Sequence, residues 1–304
     1  MSRIVQYSRH GGPEVLDIAE VSEPHAGAGQ VRVAVRAAGL NNFDAKVRRS
    51  SAVLPGRALP SGQGAEFAGV IDEVGEGVST AAVGDEVLGW SNFSAQADFV
   101  VVPATQVAAK PAGLQWAEAG GLGLVGNTAE RATSAIAPQP GETVLVSAAA
   151  GGVGLFAAQF VLAGGSTVIG TASAENHDFL RGLGIIPVAY GPGLADRLQA
   201  AAPGGIDAVI DNAGQETVEA AIELGVDPKR INSIVYFDGA AKYGISTVGG
   251  GGKTSADLGR LAMLVADGRI VLPIAATFPL AEVRAAYELL ESRHLRGKIV
   301  LTLP

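Results

Sequence analysis

The stretch VLVSAAAGGVGLFAAQF, Val144 to Phe160, limits the fold of this chain more than any other. A fully apolar, β-branched run ends at Ser147. Ala148, Gly151 and Gly154 then fall at every third position, and an apolar helical pattern opens at once. A strand that turns straight into a helix needs residues without bulky side chains at the turn. The backbone N–H groups of Gly151, Gly152, Val153 and Gly154, with the helix dipole behind them, then face a pyrophosphate. Gly154 also predicts close packing of the helix on the strand before it. A glycine pattern alone carries little. With a strand before it, a helix after it and strand–helix units downstream, it marks a dinucleotide site.

Those units run on from Glu142. Thr143–Ser147, Thr167–Gly170, Ile185–Ala189, Ile206–Ile210 and Ile231–Phe237 are predicted strands. Helices are predicted from the glycine turn to Ala163 and over Glu175–Leu183, Leu194–Ala202 and Glu216–Leu224. Such alternation means a parallel sheet covered by helices. The end of the second strand selects the nucleotide. An NAD-selective site carries Asp or Glu there, about twenty residues past the loop, to hold the ribose hydroxyls. Here the strand ends VIGTAS, with Thr171 and Ser173 and no acid. A 2′-phosphate is tolerated, Ser173, Asn176 and His177 can hydrogen-bond it, and NADP(H) is the expected cofactor. Glu175 close by weighs against this, the first arginine is Arg181, and His177 alone fits an ordinary exposed helix position better than a ligand.

The first half reads as β. Gln30–Ala37 alternates apolar and polar residues with period two, as a half-buried strand does. Glu66–Val74, Asp85–Leu88 and Ala97–Val102 are further short apolar runs separated by glycine turns, which together predict a compact barrel or sandwich. Beyond the parallel-sheet pattern, the glycine-rich segment Gly244–Lys253 reads as a mobile loop, either a plain linker or a functional one. Leu258–Asp267 and Ala281–Leu290 are predicted helices and Lys298–Leu303 a last strand.

Composition removes whole classes of function. Glycine supplies 42 of 304 residues, about twice the usual share of roughly 7%, in no collagen-like repeat. With 48% hydrophobic and 17% charged residues the chain cannot be disordered. It carries 22 basic and 30 acidic residues, hence −8, and no basic cluster larger than Arg48-Arg49. Nucleic acid is therefore not an expected partner. No apolar run is long enough to span a membrane and the N-terminal residues lack a signal-peptide core, so a cytoplasmic protein acting on a small molecule is expected. Without cysteine there is no disulfide, thiol nucleophile or Cys-based metal site.

The glycine loop stands behind AAGLNNFDAKVRR (Ala37–Arg49), LPSGQGAEFAGVIDEVGEGV (Leu59–Val78) and VGDEV (Val83–Val87), with GTASAENHDFLRGLG (Gly170–Gly184) and RGKIVL (Arg296–Leu301) downstream. In this order the motifs resemble the zinc-independent quinone oxidoreductase branch of the medium-chain dehydrogenase/reductase superfamily. The resemblance implies an α/β fold: a GroES-like β-barrel catalytic domain (1–115 and 269–304) plus a Rossmann doubly wound parallel sheet (116–268), with the active site between them. It also implies NADPH as cofactor and, commonly, homodimers or homotetramers. Carried over by position, Asn41 and Asp44 match the asparagine and aspartate of the nicotinamide-side motif. Thr128 matches the threonine at the nicotinamide end, and Tyr190 a tyrosine near the 2′-phosphate. Asp44 reads equally well as a helix cap. The zinc alcohol dehydrogenases of the superfamily carry Cys at the place of Asn41 and His-Glu at Ala65-Glu66. The four histidines, His10, His25, His177 and His294, have no ligand spacing, so no metal is expected.

Related sequences read close to LPLVGLTAYRA where this chain has LGLVGNTAERA, with Gly123, Asn127 and Glu130 replacing proline, an apolar residue and an aromatic one. Hydride transfer without a metal favours conjugated acceptors, since charge spreads away from the attacked carbon. Reduction of a quinone or an α,β-unsaturated carbonyl by NADPH is the expected activity. Tyr236, Tyr243, Lys46 and water remain open as the proton source. A pathway-specific enoyl reductase of secondary metabolism and a non-catalytic NADPH sensor are the alternatives.

Overall fold

The alternating segment at Gln30 becomes the central strand of the first of two units. In the computed structural model, which describes residues 1–292 and 295–304, that unit comprises Met1–Leu124 and Lys253–Pro304; the second comprises Val125–Gly252. The chain opens with β1 (Ser2–Tyr7), β2 (Leu16–Val21), β3 (Gln30–Gly39), α1 (Asn42–Arg49) and β4 (Ser61–Gly62). β5 (Glu66–Val74), β6 (Glu86–Trp90), β7 (Phe99–Pro103), β8 (Val107–Ala109) and α2 (Trp116–Gly121) follow. α3 (Gly123–Ile136) leads into β9 (Thr143–Val146), α4 (Gly152–Ala163), β10 (Thr167–Thr171), α5 (His177–Gly182), β11 (Ile186–Val188) and α6 (Leu194–Ala201). β12 (Ala208–Asp211), α7 (Gln215–Glu223), β13 (Ile231–Ser233) and α8 (Asp238–Tyr243) complete the second unit. α9 (Ser255–Ala266), β14 (Ile274–Pro279), α10 (Val283–Glu291) and β15 (Lys298–Thr302) return to the first.

In the first unit β3 pairs antiparallel with β15, β5 and β7, in a sheet ordered β14-β15-β3-β5-β6-β8. Its alternation is real: Val31, Val33 and Val35 point into a core shared with Phe67, Ile71, Val87, Val100 and Val102. A second core joins Val5, Tyr7 and Leu16 of the β1–β2 hairpin to Tyr287, Ile299 and Leu301. That hairpin and β14 carry weak alternation and escape the sequence reading. α2 and α9 also pack here, against β3, β5 and β15 and against β8 and β6, so the second unit is shorter at both ends than the 116–268 drawn from sequence.

The second unit is a parallel sheet ordered β11-β10-β9-β12-β13. β9 lies in the middle with Val144, Leu145 and Val146 fully buried, as its unbroken apolar run requires. The connections leave β9 toward β10 on one side and reach β12 on the other. The carboxyl end of β9 is therefore a topological switch point, where sheets of this kind bind ligands. The strand predicted to run to Phe237 stops at Ser233. There the Ser233 hydroxyl accepts the Tyr236 N–H at 2.9 Å and turns the chain into α8. Phe237, read as strand, is mostly exposed.

Candidate active site

In the second unit the glycine turn is tightly specified. Ala148 holds a positive φ of 49°, a left-handed conformation that costs a residue with a Cβ about 1–2 kcal/mol. Its N–H donates to Thr171 Oγ1 at 3.1 Å and the Ala149 N–H to the Thr171 carbonyl at 2.9 Å, which ties the turn to the end of β10. A Cβ on Gly154 would lie 2.3 Å from the Ala148 carbonyl oxygen, so only glycine permits this approach of helix to turn. No side chain caps α4 at Gly151. The first-turn N–H groups of Gly152, Val153 and Gly154 thus present a dipole end shaped for an anion. Below the turn, Asp211 bolts three strand ends together. Its carboxylate accepts Ser147 Oγ at 2.7 Å, Ser233 Oγ at 2.6 Å and the Ala213 and Gly214 N–H groups.

At the end of β10 the polar residues bind one another. Ser173 Oγ donates to Glu175 at 3.0 Å, Asn176 Nδ2 donates to Ser173 Oγ at 3.1 Å, and His177 Nε2 lies 3.3 Å from the Ala172 carbonyl. Tyr190 stands half-exposed on the loop after β11, which Arg197 pins through the carbonyls of Ala189, Gly191 and Pro192. Thr128 is buried in α3 with Gly250 beside its hydroxyl. The glycine-rich segment is stitched down rather than loose in its bonding. Asn232 exchanges two hydrogen bonds with Val248, Arg131 Nε donates to Gly249 O at 2.8 Å, and Asn127 Nδ2 donates to Gly251 O at 3.2 Å. The polar Asn127 is thereby explained: it tethers this loop.

The first unit holds a buried polar cluster. Asn41, not Asp44, is the N-cap of α1, which starts at Asn42 rather than near Ala45. Asp44 sits inside the helix at its third position, where its carboxylate accepts the Asn41 N–H at 2.9 Å and completes a capping box. Asn41 Nδ2 donates to Glu66 Oε1 at 2.8 Å, and its Oδ1 accepts Lys298 Nζ at 2.5 Å. The Lys298 ammonium also donates to Glu66 Oε1 at 2.9 Å and the Leu40 carbonyl at 2.7 Å. Glu66 Oε2 accepts the Leu124 N–H at 2.7 Å. Glu66 and Lys298 are 1% and 4% exposed, an ion pair taken almost wholly out of water. A Cβ on Gly39 would fall 2.5 Å from Glu66 Oε1 and 2.7 Å from the Gly120 carbonyl, so glycine there leaves room for both the carboxylate and α2.

These contacts settle which way the Asn41 amide faces. Its oxygen meets an ammonium and its nitrogen a carboxylate, and the reverse would set like against like. The second hydrogen on Nδ2 meets no acceptor among the described residues. Burial pushes the Asp44 carboxyl up to about 7, with Lys298 pulling it down and Glu66 adding to the rise. Behind it, Gln63 and Gln96 each donate to the Tyr287 hydroxyl at 2.9 Å. Burial, then the charge of Asp44, holds that hydroxyl well above the ordinary tyrosine range.

Sequence reasoning found Asn41 and Asp44 here and missed Lys298, Gln63, Gln96 and Tyr287. Glu66 entered only as a departure from a metal-ligand pair. The available signal was charge in apolar strands, EFAGV and KIVL. Among the described residues no group of three or more His, Cys, Asp or Glu is placed to hold a metal, and His294 lies outside them. Among them, too, no helix is long and apolar enough to cross a membrane.

Residues 27–139 match the alcohol dehydrogenase GroES-like domain family, and residues 187–301 the zinc-binding dehydrogenase family. Quinone oxidoreductase 1 of Escherichia coli K12 is 30% identical over 99% of both chains. The chain belongs to the quinone oxidoreductase branch of the medium-chain dehydrogenase/reductase superfamily. A quinone oxidoreductase of Pseudomonas aeruginosa is 38% identical over 57% of this chain, and the match spans about half that relative's length, 54%. A pikromycin polyketide synthase component of Streptomyces venezuelae is 33% identical over 91% of this chain, which is 8% of that much longer protein. Among solved structures, the Coxiella burnetii quinone oxidoreductase superposes with a TM-score of 0.90 at 31% identity, covering 100% and 99% of the two chains. The Escherichia coli quinone oxidoreductase complexed with NADPH gives 0.88 at 27%, covering both completely, and the CurK enoyl reductase 0.87 at 26%, covering 100% and 99%. For a branch of this superfamily the polar cluster is informative. In this chain Asn41 and Glu66 close around the ammonium of Lys298.

Proposed function

We propose that this protein reduces a quinone or an α,β-unsaturated carbonyl with NADPH. The observation that carries the reading is the uncapped, glycine-only approach of α4 to the Ala148 turn at the switch point of a parallel sheet. Support comes from the Escherichia coli structure, which is complexed with NADPH. The residues present fit that group. Gly152, Val153 and Gly154 would hold the pyrophosphate, Thr171, Ser173, Asn176, His177 and Tyr190 would line the adenosine end, and Thr128 the nicotinamide end. NADPH, when bound, supplies the hydride. Asn41, with its amide locked by Glu66 and Lys298, offers one aligned N–H to the acceptor, and Asp44 holds the Asn41 backbone in place. The reading extends to a cytoplasmic homodimer; sedimentation of the purified protein would check the dimer, and cell fractionation the location.

An enoyl thioester is the second candidate acceptor, favoured by the polyketide synthase and enoyl reductase matches. Titration with NADPH and NADH, followed by NADPH oxidation with 1,4-benzoquinone, a simple enone and a crotonyl thioester, tests the proposal. Tighter binding of NADPH and turnover of a conjugated acceptor are expected. Binding without turnover would favour a sensor, and no nucleotide binding would overturn the reading.

A further inference from the structure

Lys253, which ends the glycine-rich segment, is placed differently from the other buried or half-buried lysines. Lys298 bonds three oxygens, and Lys110 bonds Glu86 at 2.8 Å while lying over Trp116. Lys253 Nζ lies 5.4 Å from the centroid of the Trp90 ring, and among the described residues no oxygen accepts a hydrogen bond from it. The β5–β6 register sets Trp90 directly opposite Glu66, so the ammonium stands beside the Asn41–Glu66–Lys298 cluster. The carboxylates of Glu66 and Asp44 act on it and favour its charge, while burial works against the charge more strongly and lowers its pKa. Neither carboxylate bonds it in this structure: Glu66 is bonded to Lys298, Asn41 and Leu124, and Asp44 accepts from Asn41 through Oδ2 while its Oδ1 has no partner. A cation held on an aromatic face, partly stripped of water and with its hydrogens unused is a preorganised donor for an oxygen that becomes negative.

We propose that Lys253 donates a hydrogen bond to the carbonyl oxygen of the acceptor, so that the site selects substrates whose oxygen turns anionic on reduction. The inference rests on the reductase reading above. The acceptor gains hydride from NADPH, which leaves as NADP⁺. In an enone the new C–H bond forms at the β-carbon, the C=C pair shifts toward the carbonyl, and the C=O pair moves onto oxygen as an enolate. A quinone that takes the hydride at a ring carbon gives the corresponding enolate. This becomes the hydroquinone monoanion when one hydrogen of the new CH2 is lost as a proton to water and a proton from water is taken up by the other oxygen. The oxyanion is held by Lys253 Nζ–H, and a proton from water completes the neutral product.

4-Nitrophenol serves as a stable mimic, because its phenolate resembles the hydroquinone monoanion and its ionisation is visible by absorbance. With NADP⁺ present, the wild-type protein should bind it as the phenolate, at a pH where free 4-nitrophenol is mostly neutral. Lys253→Met should bind it at least about 10-fold more weakly and lose the ionisation shift, and Lys253→Arg should restore part of both. In turnover, Lys253→Met should lower kcat by about 100- to 1000-fold, the loss seen when an oxyanion donor is removed, with NADPH affinity unchanged. Absence of wild-type phenolate binding, or equal phenolate affinity in Lys253→Met and Lys253→Gln, overturns the inference. Failure of the wild type to oxidise NADPH with any acceptor overturns the reductase reading instead, and the phenolate titration still judges Lys253.

Discussion

Replacing Lys298 with methionine keeps the reach of the side chain and removes one charge and three hydrogen bonds. Glu66 keeps the donors from Asn41 and Leu124 but loses the ammonium 2.9 Å away while remaining 1% exposed. The Leu40 carbonyl and Asn41 Oδ1 lose the same partner. Breaking one side of a buried pair costs about 3–5 kcal/mol, because the charge left behind stays desolvated. An exposed pair would cost less than about 1 kcal/mol. At roughly 2–4 °C per kcal/mol for a unit of this size, the melting transition of the first unit should fall by roughly 6–20 °C. Scanning calorimetry measures it directly. Adding Glu66→Gln removes the stranded carboxylate while keeping an acceptor for Leu124, so the double variant should recover a substantial part of the loss. A Lys298→Met protein melting within about 2 °C of wild type, or a double variant no better than the single, would refute the reasoning.

The Gly154→Ala change forces a Cβ to within 2.3 Å of the Ala148 carbonyl; it should cost about 1–3 kcal/mol and weaken NADPH binding at least about 10-fold by opening the turn, read by denaturation and fluorescence titration. Ser173→Asp sets a carboxylate at the end of β10, where an NAD-selective site carries one, and should turn the NADPH-to-NADH affinity ratio toward NADH by about 10- to 100-fold. The Asp44 carboxyl is raised from 3.8 to about 7, so the unfolded chain ionises first as pH rises. Stability contributed by this group is therefore full below about pH 4, falls through the window from 4 to 7 and is constant above it, a loss of about 4 kcal/mol. Asp44→Asn, which cannot ionise, should be flatter across that window in urea denaturation, and an identical pH slope in both proteins would sink the assignment.

How much of this was readable beforehand follows from the range of each interaction. The nucleotide turn is local. Strand, small residues and helix lie within seventeen consecutive positions from Val144 to Phe160, and the sequence order of the βα units fixes the parallel sheet through short, right-handed crossovers. The bonds of Ser173, Asn176 and His177 to Glu175, to one another and to the backbone were not legible. β1, β2 and β14 escaped because strands that bury only part of one face show weak periodicity. The run predicted to end at Phe237 was cut short by a Ser233 hydroxyl acting on backbone two and three residues later, which propensity alone does not register.

The polar cluster was hidden for a different reason. Lys298 and Glu66 are 232 positions apart, and each alone looks like a surface residue that opens a strand. Only the pairing of β15 with β3 and of β3 with β5 brings the starts of β5 and β15 together, and only then does a lysine beside a glutamate become a buried pair that orients Asn41. The sequence does contain the trace of this arrangement. Charged residues head the apolar strands EFAGV and KIVL, and Gly39 stands where a larger residue would displace the carboxylate. A buried charge is tolerated only with a partner, so two opposite charges at the mouths of buried strands predict each other. That rule narrows the candidates, but Glu86 also heads an apolar strand, and the strand pairing is what selects Glu66 and Lys298. The rule does not pick out Lys253, whose partner is an aromatic face rather than an opposite charge.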